Sequence, residues 1–292
     1  MTYVNAVFQG IILGGFYALL ACGLSLIFGV MRIINLAHGS LAVLGAFITW
    51  WIVDKTSLSP FLVLIPSLIV MFGVGWALQR GLLERSLRAG ILIPLLTTFG
   101  LAIVIDNVLL GVFSPDVRSL GGQAGAVTTT SWKVSQQFSI SALGILILAV
   151  AVAVLGGLSL FLRRTTLGRA MRATAQDSDT AELVGIDSRG VYARAAGIAV
   201  ATAALAGVFL AIRAVVEPSA GPTQLIFAFE AVVIGGFGSL WGTLVGGLIL
   251  GVAQTLGAQI NPQYANLAGH LVFLAVIAVR SGGILAAREG TA

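Results

Sequence analysis

Arg32, Asn35 and His38 stand three residues apart in the stretch MRIINLAHGSLAVLGAF, between two long apolar runs. The chemistry open to them is modest. Asn35 can cap a helix that begins just after it, because the first N–H groups of a helix lack intrahelical partners. His38 then falls in the first turn, and Gly39 allows a close neighbour. A neutral imidazole there can bond a loop carbonyl and pin the helix entry. The functional alternative has His38 lining the inner mouth of a pathway.

Enzymatic chemistry finds no footing elsewhere. His270, the second histidine, lies far along the chain, and no HExxH or GxSxG occurs. Gly236, Gly238 and Gly242 miss the GxGxxG spacing by one residue. Neither Lys55 nor Lys133 follows a glycine, so there is no P-loop and the chain cannot supply an ATPase itself. Only Asp106 and Glu230 fall within apolar runs, and a proton relay needs several buried carboxylates. Cys22 is alone, which excludes an intrachain disulfide and a cysteine metal cluster. No cofactor and no metal are expected.

The elements that carry these residues follow from composition. Of 292 residues, 58% are hydrophobic and 9% charged. Soluble domains carry about 25% charged residues, so a polar shell cannot be built here. Mean hydropathy of +1.03 agrees. The expectation is an all-α, polytopic integral membrane protein. The net charge of +5 does not point to nucleic acid, since basic residues collect on the cytoplasmic side of membrane proteins. No leader for cleavage is apparent: the first apolar run lacks a basic flank and is long enough to span.

A spanning helix needs roughly 20 apolar residues. Runs at 6–30, 38–53, 60–78, 92–113, 140–162, 191–212, 226–258 and 267–279 give about eight such helices. The breaks at 79–90, with Arg80, Arg85 and Arg88, and at 163–190, with Arg163, Arg164, Arg169, Arg172 and Arg189, belong inside. The Gly-, Ser- and Thr-rich break at 114–139 belongs outside. Arg280 and Arg288 also belong inside, which requires 226–258 to cross an even number of times. Its middle reads GGFGSLWG and can divide it into two halves. Glycine-interrupted short spans mark the centre of transporters. The alternative is one long tilted helix with a glycine packing face. Gly238, Gly242 and Gly246 recur every four residues, as do Gly247 and Gly251, and Gly10 and Gly14. Such spacing lets helix backbones approach closely in lipid.

Residues 163–190 form the one long stretch on the inner side. The first half is basic and the second acidic. Asp177 or Ser178 can cap a short helix over 177–184, and Gly185 can end it. Held between two spans, it can dock a cytoplasmic partner. Asp177, Asp179 and Glu182 suit basic residues on such a surface, and Ala181, Val184 and Ile186 can fill a shallow groove. A solvated connector is the plain alternative.

Four stretches together resemble a known family. They are INLAHG at 34–39, TTFGLAI at 97–103, GRAMRATAQDSDTAELVGID at 168–187 and VIGGFGSLWGTLVGGLILG at 233–251. In this order they are similar to the LivH-like permease subunit of ABC importers for branched-chain amino acids. Two departures stand out. The tail reads SGGILAA where the family has a Pro-Gly-Leu type, and an acidic residue after LILG is replaced around Ala253 and Gln254.

The resemblance implies a single transmembrane permease domain over residues 1–292 in a bacterial inner membrane. It implies a second permease subunit, alike or unlike, two cytoplasmic ATP-binding subunits and a periplasmic substrate-binding protein. The lipid bilayer is the remaining partner. The loop 163–190 would be the ATPase-coupling element, with Gly168, Arg169, Arg172, Asp177, Asp179, Ala181, Glu182 and Gly185 as its residues. Asn35, His38, Gly39, Glu230, Gly235, Gly236, Gly238 and Gly242 would serve the pathway or helix packing. Urea or short-chain amide permeases are the near alternative, and ribose-type sugar permeases a further one. A secondary carrier or an aquaporin-like channel belongs to a different class. The channel needs two NPA-type half-helices, and the chain offers only Asn261-Pro262-Gln263.

Overall fold

The computed structural model describes residues 2–87, 90, 92–135, 138–280 and 282–285. Arg88 and Arg288 lie outside the described residues. The described chain is almost wholly helical, with one small antiparallel hairpin. Six helices among these residues are long and apolar enough to cross a membrane, and two shorter ones are also apolar. The protein is therefore a multi-pass membrane protein.

α1 (Thr2–Met31) and α10 (Ser188–Arg213) form the buried centre. They run antiparallel: Arg213 lies over the Phe16 ring, and Gly23 packs on Ala199 and Thr202. α3 (Pro60–Leu78), α5 (Leu92–Phe113) and α7 (Ala142–Arg164) lie outside them. Their outer faces expose Leu62, Ile65, Leu96, Val108 and Leu160, which lipid tails match and water does not.

Glycines set the closest crossings. Gly10 and Gly14 of α1 face Gly247, Leu248, Gly251 and Val252 of α12 (Leu240–Ile260), in opposite chain directions. The two glycine stripes read from the sequence are one seam. The break in 226–258 also exists. α11 (Gly221–Gly235) ends before Gly236 and Gly238, whose φ angles are +104° and +73°. These are left-handed conformations that glycine adopts without strain. α12 then folds back on α11, with Gly242 against Gly235 and Gly246 against Ala231. Gly238 lies in the turn, beside Gly29, and does not belong to a helical face with Gly242.

This hairpin answers the crossing requirement. α11 descends to the basic end, α12 returns, and α13 (Tyr264–Val279) descends again. The segment after α13 lies beside the hairpin turn, where the Ile284 and Leu285 N–H groups donate to the carbonyls of Ile234 and Gly235. Arg280 is therefore at the same end as Met31, Glu84 and 163–190.

Two breaks differ from expectation. The helix continues past Leu78 through a π turn (Gln79–Leu83) into α4 (Glu84–Leu87). Its polar residues are compatible with helix because they reach the aqueous end, where Glu84 meets Arg189 at 3.4 Å. The outer break carries a short α6 (Ala126–Thr129) and strands β1 (Ser131–Ser135) and β2 (Phe138–Ser141).

Candidate functional site

α2 (His38–Thr56) does not start at the membrane boundary. His38 is fully buried, and its Nε2 lies 2.8 Å from the carbonyl of Leu20, midway along α1. Leu20 is roughly 16 Å from the end of α1 at 1.5 Å per residue. The link 32–37, with a turn at 35–38, runs back toward that level, and the His38 side chain covers the rest. The partner of His38 is thus a helix carbonyl rather than a loop carbonyl. Asn35 does not cap α2 either. The N-cap is Ala37, and Asn35 Oδ1 accepts from the Ala37 N–H at 3.0 Å. The Leu36 N–H donates to Thr98 Oγ1 at 3.1 Å. Irregular backbone at depth is tolerated only when its polar groups are paired in this way.

α11 starts at the same depth from the opposite end. The link 214–220 leaves α10 at the outer end, where Arg118 and Val216 exchange backbone hydrogen bonds. It then descends until Gly221 meets the first turn of α2. A Cβ on Gly39 would fall on the Gly221 carbonyl, and one on Gly221 would reach Ser40 Oγ. It would also lie 3.0 Å from Asp106 Oδ1. The Ser40 hydroxyl donates to the Asp106 carboxylate. α2 (19 residues) and the shorter α11 (15 residues) thus follow links that enter from opposite ends, and their N-termini converge beside a carboxylate. Half-helix N-termini carry partial positive charge at the centre of several transporter folds. Of this junction the sequence singled out Asn35, His38, Gly39 and the placement of Asp106 within a span. It missed Ser40, Thr98 and Gly221. Gly221-Pro222 was the available signal, since proline favours the first turn of a helix.

A second polar group lies deeper toward α13. Glu230 of α11 is 4% exposed, and its Oε1 lies 2.5 Å from Nδ1 of His270. The Tyr17 hydroxyl donates to Gln254 Oε1 at 2.6 Å. The Phe227 ring touches both pairs, 5.1 Å from Tyr17 and 6.4 Å from His270. Gln254 is therefore a partner of Tyr17.

The basic end carries the third feature. The expected helix over 177–184 is α9 (Ser178–Leu183), and the basic half before it is helical too, as α8 (Thr166–Gln176). Gly168, Met171 and Thr174 seat α8 on the bundle, while Arg169 and Arg172 are exposed. Asp177 caps α9. It accepts the Thr180 hydroxyl and the N–H groups of Thr180 and Asp179. These bonds hold its carboxyl below the usual carboxylate range.

Gly185, at φ +87°, closes the helix. The Ile186 N–H donates to Ala181 and the Gly185 N–H to Glu182, a Schellman end. Ala181 is 4% exposed and faces the bundle, so it cannot fill a partner's groove. Leu183 and Val184 are 87% and 74% exposed beside Asp179 and Glu182. Leu183 was not singled out in the sequence.

Comparison with known proteins places the chain. The family described as branched-chain amino acid transport system / permease component matches residues 6–279. The high-affinity branched-chain amino acid transport system permease protein BraD of Pseudomonas aeruginosa is 32% identical, over 98% of this chain and 97% of its own. The permease protein LivH of the corresponding system in Salmonella typhimurium is 32% identical, over 98% and 96%. LivH of Escherichia coli is 31% identical over the same shares. No solved structure matches.

Proposed function

This chain belongs to the family of branched-chain amino acid transport permease components, and on that premise we propose that it carries branched-chain amino acids across the bacterial inner membrane as half of an ABC importer. It is a transport permease and not an enzyme. A second permease subunit completes the pathway, two cytoplasmic ATP-binding subunits supply the work, and a periplasmic binding protein delivers substrate. The pathway uses the convergence of α2 and α11, with Gly39 and Ser40 on one side and Gly221 on the other. Asn35 and His38 fix the start of α2, and Gly235, Gly236, Gly238 and Gly242 fix the α11–α12 hairpin.

One observation carries the coupling role of 163–190: a short helix held rigidly at both ends presents two bare apolar side chains to the cytoplasmic end. Asp177 and Gly185 make α9 stiff, α8 with Gly168 seats it, and Leu183 and Val184 offer the apolar centre of a contact. Arg169, Arg172, Asp179 and Glu182 surround that centre with charge. Such a contact transmits a push from an ATPase into α7 and α10. Leu183→Glu leaves the fold untouched, because the side chain is exposed. Reconstituted with its partner subunits, that variant should lose roughly tenfold or more of ATP-driven leucine uptake, the size of an interface hot spot. Wild-type uptake by Leu183→Glu would return the loop to the role of connector.

A further inference from the structure

On the transport reading above, we infer that Asp106 holds the ammonium group of the amino acid as it passes the middle of the membrane.

Asp106 is a carboxylate without a cation. Its Oδ1 is shut from solvent and has no hydrogen-bond partner. Among the described residues no basic side chain pairs with it. An ionisable group at membrane depth is costly and marks a pathway far more often than a lipid face. A structural carboxylate would gain from a lysine or arginine in the chain. Among the described residues the chain offers Asp106 only the partial positive charge of the two helix N-termini, so a full cation comes from a ligand.

The site is open on one side. Asp106 itself is half-buried, while Asn107 and Thr223 beside it are exposed. Gln224, half-buried, has an idle Oε1. Asn107 satisfies its amide on the Ile103 carbonyl, but lipid tails offer the idle Gln224 oxygen nothing, so the α11 side of the site turns to a wet path. A cavity of 360 Å³ opens at the start of α11, walled by Val117, Glu217, Ala220, Thr223 and Gln224 among others. That is within the size of small-molecule sites, roughly 300–1,000 Å³. Gly221, which packs against Asp106, lies between two residues of that cavity in sequence, Ala220 and Thr223.

The same spot suits the other charge of a zwitterion. The first turn of α11 has N–H groups with no helical acceptor, and these favour a carboxylate. A carboxylate on one side and a helix N-terminus on the other match an α-amino acid in both sign and order. A bare cation would use only half of this arrangement.

The experiment uses the complete complex in proteoliposomes, with leucine as probe. Asp106→Asn keeps the shape and the bond from Ser40, and Asp106→Glu keeps the charge. ATP-driven uptake should fall roughly tenfold or more in Asp106→Asn and stay within about threefold of the unmodified complex in Asp106→Glu, the scale of one charged hydrogen bond. In a Cys22→Ala, Asn107→Cys background, leucine should shield the new thiol from a small alkylating reagent. The analogue 2-hydroxy-4-methylpentanoate, which lacks the ammonium, should not. Asp106→Asn should abolish the shielding by leucine. A smaller loss of uptake, an Asp106→Glu as poor as Asp106→Asn, or shielding that survives Asp106→Asn overturns the inference. An unmodified complex that takes up no leucine overturns the transport reading with it, whereas uptake indifferent to Asp106 overturns the inference alone.

Discussion

Glu230 and His270 hold α11 and α13 together through a single short hydrogen bond, 2.5 Å from Oε1 to Nδ1. Glu230 is buried, and its other oxygen has no partner. His270 is half-exposed and lies parallel to the Phe227 ring. α13 is otherwise a peripheral helix, with Leu267, Leu271 and Leu274 turned outward. His270→Ala should strand the Glu230 carboxyl and cost about 1.5–3 kcal/mol. The check is the thermal unfolding midpoint of the detergent-solubilised chain. Glu230→Gln with His270 intact should cost less, because an amide can still accept from the ring. Equal midpoints for all three chains would remove the pair from the stability of the fold.

The glycine seam between α1 and α12 has its own expected outcome. A Cβ on Gly251 would fall on the Gly10 carbonyl and the Gly14 backbone, whereas Gly157 on α7 has open space around it. Gly251→Val should therefore cost at least about 1–3 kcal/mol, as overpacking does. Gly157→Val should fold normally. Expression level and monodispersity in detergent separate the two. A well-behaved Gly251→Val would mean that α1 and α12 can move apart without loss.

Acid should leave α9 intact for longer than an ordinary carboxylate cap would allow. The Asp177 carboxyl is held low by the Thr180 hydroxyl and N–H groups. A group whose pKa is depressed on folding stabilises above its unfolded value, about 3.9 for Asp, and loses that contribution as pH falls through the lower, folded value. Coupling should thus be insensitive to Asp177 protonation through neutral and mildly acidic pH. Asp177→Asn still caps the helix and should show the same pH profile above about pH 4. A difference between the two profiles near pH 6 would place another titration at this turn.

Orientation can be read with thiols in a Cys22→Ala background. Gln123→Cys lies in the outer break and Thr180→Cys on α9, both exposed. An impermeant reagent added to intact cells should modify the first and spare the second. Ser86 is buried and would make a misleading probe. Labelling of Thr180→Cys from outside would invert the assignment made from the basic residues.

The sequence shows the long buried helices because lipid demands unbroken apolar runs, and 6–30 and 191–212 are such runs. It shows the α11–α12 break because Gly236 and Gly238 are residues that a positive φ favours. The half-helix starts are harder to see. The apolar run begins at Ile226, but α11 begins at Gly221, since Gly221 packs on the first turn of α2 and Thr223 and Gln224 line a cavity instead of matching lipid. The link 32–37 reads as a surface loop because the group that pairs its Leu36 N–H at depth, the Thr98 hydroxyl, is far away in sequence. Glu230 and His270 are forty positions apart and give no local pattern. α8 is hidden for a different reason. Its arginines read as a solvated run, although Gly168, Met171 and Thr174 at helical spacing already marked an inner face.

The early start of α2 also constrains how the chain is made. α2 rests chiefly on α10 and barely on α1, its neighbour in sequence. Until α10 leaves the ribosome, α2 lacks the helix against which most of its length packs. A nascent chain that stops before Ser188 therefore lacks the main support of α2. Synthesis of α10 commits the whole front half to its final depth, so slow translation across 163–190 would lengthen the time during which the protein can be lost.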